Sequence, residues 1–255
     1  MIPIKSDKEI ERMREGGKIL AQIMEKISVE IAPGKNTDKL DKLAEKLVFA
    51  NGGTPAFKGY RGEAKEPFPG TLCISINSEV VHGIPSEEKF LKDGDIVKID
   101  IGMKYQGMFV DMARTFAVGK ISSLAKNLIT VTEMSFWQGL EKLKKGNFLS
   151  DYSKAVQSCA EGNGFSVVRN LVGHGIGKEL HEDPYIPNYF NNKYKDFRLS
   201  AGMTLALEPM INEGNFETII DKDGWTFRTK DGKLNAHYEN TVLITENGAE
   251  VLTMI

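Results

Sequence analysis

The sequence predicts an α+β fold, a single domain over 1–255 made of two similar helix-and-strand halves, roughly 1–120 and 121–255, around a site they share. Three observations predict it. Two amphipathic helical patterns precede strand-like segments, and the same order then returns. The second helix of each pair runs into an Asn-Gly stop, at Asn51-Gly52 and Asn163-Gly164. Four acids, Asp100, Asp111, Glu208 and Glu239, stand inside otherwise apolar strand-like runs, where an isolated charge is costly.

Ser6 precedes the first helical pattern, in which Ile10, Met13, Ile19, Leu20, Ile23, Met24 and Ile27 recur mostly three and four residues apart. After Pro33-Gly34, Thr37 reads as the cap of a second helix through Leu40, Leu43, Leu47 and Val48. Runs rich in Ile, Val and Phe then predict strands at Leu72 to Ile76, Ile96 to Tyr105 and Gln106 to Val118. The second half predicts a helix from about Ser122 to Lys145, another capped by Ser150 and stopped at Gly162-Asn163-Gly164, and strands to the end. Val81-His82-Gly83-Ile84 matches Gly173-His174-Gly175-Ile176, and Val97-Lys-Ile-Asp100 matches Thr204-Leu-Ala-Leu-Glu208. Identity between the halves is slight, so a chance likeness of two helix-helix-strand units is the alternative to duplication. Duplication explains why histidines and acids recur at corresponding places, and it puts the site between the halves.

Composition removes several functional classes. The formal charge of −2 is spread along the chain with no basic block to follow a phosphate backbone, so a nucleic-acid substrate is not expected. Cys73 and Cys159 have no paired spacing, which fits free thiols in a reducing compartment and excludes a structural zinc knuckle. The start lacks a signal-peptide core and no long apolar run follows, so a soluble, cytoplasmic, non-membrane protein is expected.

Of four histidines, His82, His174 and His181 sit beside Gly or Glu in loop-like contexts. Each alone reads as a structural histidine, and it is the company of acids that points to chemistry. Asp100 and Asp111 lie in two apolar runs joined by Lys104-Tyr-Gln-Gly107, which reads as a hairpin. A turn centred between Tyr105 and Gln106 sets Asp100 directly opposite Asp111, and opposed like charges need a compensating cation unless that face is open to solvent. With Glu208, Glu239 and His174 the set is four carboxylates and one imidazole, suited to two divalent ions that share bridging carboxylates. Such a pair can hold a water and lower its pKa towards neutrality, which points to hydrolysis. Gly173-His-Gly-Ile-Gly-Lys178 lacks phosphate-loop spacing, and neither H-E-x-x-H nor G-x-S-x-G occurs.

These residues resemble the type I methionine aminopeptidases from Ile4 to Leu252. The resemblance is carried by Ser75-Ile-Asn-Ser-Glu-Val-Val-His82-Gly-Ile-Pro85, Asp93-Gly-Asp-Ile-Val-Lys-Ile-Asp100, Gly173-His174-Gly-Ile-Gly with His181-Glu182, Leu207-Glu208-Pro209 and Tyr238-Glu239-Asn240-Thr241. It implies the pita-bread fold and the removal of initiator methionine from nascent proteins when the second residue is small. It implies that Asp100 binds one metal, His174 and Glu208 the other, and Asp111 and Glu239 both. The ions would be Co2+, Mn2+, Fe2+, Ni2+ or Zn2+, since such a site leaves the choice to supply as well as affinity. By the same resemblance Glu208 handles the proton, His181 contacts the carbonyl oxygen or following amide, and His82 contacts the scissile nitrogen. Tyr60, Cys73 and Trp225 would wall the methionine pocket, with plain core roles the alternative for Cys73 and Trp225.

Three departures bear on pocket selectivity: apparently extra residues over Glu63 to Pro67, Arg61 where some relatives have histidine, and Leu180 where others have an aromatic. The short path from His181 to Glu208 leaves no room for the helical insertion of the type II enzymes. A monomer acting on N-terminal peptides, with the ribosome as a further partner, is expected. The alternatives are an exopeptidase of the same fold that cleaves before proline, and a non-catalytic binding protein of that fold.

Overall fold

The computed structural model describes residues 2–62 and 64–255; Glu63, in the expected insertion, lies outside them. The first half contains α1 (Asp7–Ser28), α2 (Thr37–Ala50), β1 (Thr54–Pro55), β2 (Leu72–Ile76), β3 (Glu79–Val81), β4 (Ile96–Tyr105) and β5 (Met108–Ala117). The second begins with α3 (Ser123–Leu140) and α4 (Leu149–Gly162). It continues with β6 (Ser166–Val167), β7 (Gly173–Gly175), β8 (Glu182–Ile186), β9 (Thr204–Leu207), β10 (Met210–Asn212), β11 (Thr218–Ile220), β12 (Phe227–Thr229), β13 (Asn235–His237), β14 (Glu239–Ile244) and β15 (Ala249–Val251). No helix among the described residues is long and apolar enough to cross a membrane.

The helices follow their apolar periodicity, with corrections at the ends. Glu9 closes the start of α1 by accepting from the Ser6 N–H and hydroxyl, each at 2.8 Å. The cap of α2 is Asn36, whose side chain accepts from the Lys39 N–H, and not Thr37, whose hydroxyl instead donates to the Ser86 carbonyl. α4 starts after Phe148, whose N–H donates to the Asp151 carboxylate, so Ser150 lies inside the first turn. α3 stops at Leu140, before Lys145, because the chain turns to bury Leu143 and to bond Gly146 N–H to the Leu199 carbonyl. The two Asn-Gly stops are alike in detail. Asn51 and Asn163 each return a side-chain N–H to a carbonyl four residues back, at 2.7 and 2.8 Å, and Gly52 and Gly164 follow at φ 76° and 82°.

The main sheet has the order β1-β4-β5-β14-β9-β7-β8, with β2 on β4 and β15 on β14. The central β5–β14 pair is thus flanked by β4 carrying β2 and by β9 carrying β7. By this topology β7 holds the place of β2, so His174 corresponds to a β2 residue and not to His82, which follows β3. Val97, Ile99, Ile101 and Met103 of β4 and Met108, Val110 and Met112 of β5 bury in one core with α1 and α2. Alternation turns Lys98, Asp100 and Asp111 to the opposite face. Lys98 is fully buried there, its Nζ donating to the carbonyls of Asn77 at 2.7 Å and Asn235 at 3.1 Å and so tying the two halves together.

Candidate metal centre and cleft

Strand register assembles the acids. Cys73 pairs with Asp100, Asp100 with Ala113 and Ala113 with Glu239, and residues directly opposed share a face. Asp111 stands two residues from Ala113 on that same face. On the other side Thr241 pairs with Ala206 and Ala206 with His174. Glu239 is two residues from Thr241, and Glu208 two from Ala206. The five expected residues therefore converge from β4, β5, β7, β14 and the end of β9.

The direct opposition of Asp100 and Asp111 is corrected: Asp111 faces Gly102, and the acids are diagonal neighbours. The reason is the turn. Gln106 and Gly107 form a two-residue connection with φ of 47° and 85°, pairing Tyr105 with Met108 and shifting the register by two residues, which preserves the face.

The cluster is buried and lacks compensating charge. Asp100, Asp111 and Glu239 are 7%, 4% and 3% exposed, and the Glu208 side chain 13%. Among the described residues no lysine or arginine forms an ion pair with any of the four, and Asp100 Oδ1 and Asp111 Oδ1 have no hydrogen-bond partner. Burial accordingly pushes Asp100 up to about 7 and holds Asp111, Glu208 and Glu239 well above the usual carboxylate range, with mutual repulsion adding to the effect on the last three. His174 is driven the other way, to about 3, by burial first and then by its histidine neighbours, so its ring is neutral and free to bind a cation. Its Nδ1 lies 2.8 Å from the Gly175 carbonyl, leaving Nε2 directed at Glu208 Oε1, 3.6 Å away. Ligand atoms of Asp111, His174 and Glu239 lie within 4.8 Å of one another. Four buried carboxylates with orphaned oxygens beside a neutral imidazole fit divalent cations.

One close approach fixes His174. A Cβ on Gly175 would meet the Asp183 carbonyl oxygen at 2.1 Å. Gly175→Ala must part β7 from β8, and we expect a loss of roughly 1–3 kcal/mol in stability together with weaker metal binding, checked by denaturant unfolding and by metal titration. Wild-type behaviour in both would contradict this placement.

The cluster floors a cleft of about 680 Å³. Tyr60, Cys73, His82, Leu180, His181 and Trp225 all line it. His82 has φ 58°, a strained conformation for histidine, and its ring lies edge-on to Trp225 and Phe227 at 6.2 and 5.8 Å. His181 Nδ1 is 2.8 Å from the Tyr60 hydroxyl, and its ring centroid is 4.3 Å from that of His174. Trp225 is carried between β11 and β12 and donates its Nε1–H to the Glu66 carbonyl at 3.0 Å. Cys73 and Leu180 both belong to the core behind the cleft, so cleft wall and core are one surface here.

Sequence reasoning missed His237. It is 1% exposed, its Nε2 lies 3.7 Å from Glu239 Oε2, and its ligand atom groups with those of Asp100 and Glu239. Its position two residues before Glu239, where strand alternation returns to the same face, was the available signal.

A curled sheet with a buried, cation-seeking carboxylate–imidazole cluster beneath a peptide-sized cleft defines a metal-binding class of protein. Residues 11–246 match metallopeptidase family M24, and the chain belongs to that family. It is 49% identical to a methionine aminopeptidase from Clostridium perfringens over the whole of both chains. The crystal structure of a methionine aminopeptidase from Thermotoga maritima is 44% identical over the full length of both, with a TM-score of 0.95. The prolidase from Pyrococcus furiosus is a more distant likeness, at 26% identity and TM-score 0.77, covering 99% of this chain and 65% of that one. The pita-bread fold expected from the motifs is the fold found.

Proposed function

We propose that this chain is a metal-dependent aminopeptidase that hydrolyses the first peptide bond of new proteins and releases methionine when the second residue is small. The carrying observation is the convergence of Asp100, Asp111, His174, Glu208 and Glu239 on one sheet face under the cleft. The full-length likeness to methionine aminopeptidases supplies the substrate class. In this reading the protein is a single catalytic domain with halves meeting at the centre, a cytoplasmic monomer that takes N-terminal peptides near the ribosome.

Asp100 would hold one ion, His174 and Glu208 the other, and Asp111 and Glu239 would be shared. When bound, the divalent ions supply an acidified water and polarise the scissile carbonyl. Glu208 takes the proton of the attacking water on its carboxylate and delivers it to the leaving nitrogen. A Tyr60 hydroxyl donating to His181 Nδ1 puts the proton of the neutral ring on Nε2, where it can donate to the carbonyl oxygen as charge develops. His82, which also lines the cleft, stabilises the scissile nitrogen. Cys73, Tyr60 and Trp225 make a soft, largely apolar pocket suited to a thioether side chain. Leu180 gives that pocket an aliphatic wall, and the chain around Glu66 is held to it through Trp225.

Chelator-stripped protein titrated with Mn2+ or Co2+ tests the reading. Hydrolysis of Met-Ala-Ser should be absent without metal and should return as metal is bound at the centre. Hydrolysis by stripped protein would refute the reading, and full metal content and activity retained by Asp111→Asn or Glu239→Gln would refute the shared-ligand roles.

A further inference from the structure

Among the described residues, the buried side chains with an unpartnered polar atom outside the five expected ligands are Thr71, Asn235, Asn240 and His237, and of these only His237 is titratable. Its ring is buried, and neither Nδ1 nor Nε2 has a hydrogen-bond partner among the described residues. A buried imidazole with two idle nitrogens is costly. Within the same cluster Asp100 Oδ1 is also unpartnered, although its ligand atom, that of Glu239 and a ring nitrogen of His237 lie within 4.8 Å of one another. The imidazole and the acids therefore stand close without satisfying each other directly, which a cation placed among them would do.

The main chain of His237 is anchored. Thr115 Oγ1 accepts from the His237 N–H at 2.9 Å and donates to the His237 carbonyl at 2.8 Å. Two residues earlier, the Asn235 carbonyl receives the buried Lys98 ammonium. The backbone that carries the ring is thus fixed from β4 and β5, the strands that carry Asp100 and Asp111.

We infer that His237 is a direct metal ligand through Nε2, completing the ion position defined by Asp100 and Glu239. The inference rests on the divalent-ion reading above and extends it. Each of the two positions then has one imidazole, His174 on one side and His237 on the other, sharing Glu239 between them. The consequence is selectivity. Without His237 the Asp100 position is all oxygen, a donor set suited to Mn2+ and Mg2+, whereas an added imidazole favours Fe2+, Co2+, Ni2+ and Zn2+.

X-ray absorption of the full chain loaded with two equivalents of Co2+ counts imidazoles directly. The expected count is two per two cobalt ions in the unmodified protein, one in His237→Gln and one in His174→Gln. His237→Gln should also weaken Co2+ more than Mn2+ at the Asp100 position, by more than the roughly 10- to 100-fold typical of losing an outer-shell partner. A count of one in the unmodified protein that vanishes only in His174→Gln overturns the inference and leaves the dinuclear reading standing. Failure of the unmodified protein to bind cobalt at all overturns both.

Discussion

Stripping divalent ions will lower the melting temperature far more at pH 8 than at pH 5.5. The cause is the set of four acids held above their ordinary range by burial. For an acid raised in the folded state, the folded protein keeps its proton while the unfolded chain loses it, so stability falls as pH rises between the two values. Asp100, raised from 3.8 to about 7, loses its advantage across that window. A shift of this size corresponds to something on the order of 4 kcal/mol. The other three move in the same direction. Bound cations reverse the balance, since they hold the ionised carboxylates and compete with protons. The gap between stripped and loaded protein should therefore open with pH, by on the order of 10 °C at pH 8. Scanning calorimetry at both pH values checks this, and a gap independent of pH would contradict it.

Glu208→Gln will reduce turnover of a Met-Ala peptide by roughly 100- to 10,000-fold. The substitution keeps shape and removes one charge from a site that has too many of one sign. Glu208 is held at the end of β9 through its main-chain carbonyl, which accepts from Asn188 Nδ2 at 3.0 Å, and Asn188 is held in turn by the Tyr152 hydroxyl at 2.9 Å. Neither contact involves the carboxylate, so the backbone should not move. The metal-free variant should be more stable than the metal-free parent, because repulsion on Asp111 and Glu239 is relieved. Inactivity combined with raised stability separates a lost proton carrier and ligand from misfolding. Reduced stability in the metal-free variant would show that the carboxylate has a structural role instead.

Much of this centre was legible because it violates local rules. An acid in an apolar strand is conspicuous, and Asp100, Asp111, Glu208 and Glu239 each announced themselves in that way. The face they share followed from alternation, but their register did not, because it depends on whether the turn uses Tyr105-Gln106 or Gln106-Gly107. Only the positive φ at both Gln106 and Gly107 decides it. Helix bodies followed periodicity, whereas Asn36 and Phe148 as caps depended on side chains choosing between local and distant partners. His237 was passed over because its neighbours in sequence look like any strand end. What makes it conspicuous is Asp100, 137 positions away by chain number but a neighbour across the fold. The β3–β12–β11 sheet that carries Trp225 over the cleft was equally invisible, since pairing of such short strands is set by tertiary contact.

The most direct test compares release of the N-terminal residue from Met-Ala-Ser, Met-Leu-Ser and Ala-Pro-Ser by the metal-loaded protein and by the same preparation after chelation. Metal-dependent cleavage of Met-Ala-Ser alone is the result expected of a methionine aminopeptidase that requires a small second residue. Cleavage of Ala-Pro-Ser in preference would instead assign the chain to the proline-directed exopeptidases of this fold, and silence towards all three with metal bound would contradict an enzymatic role.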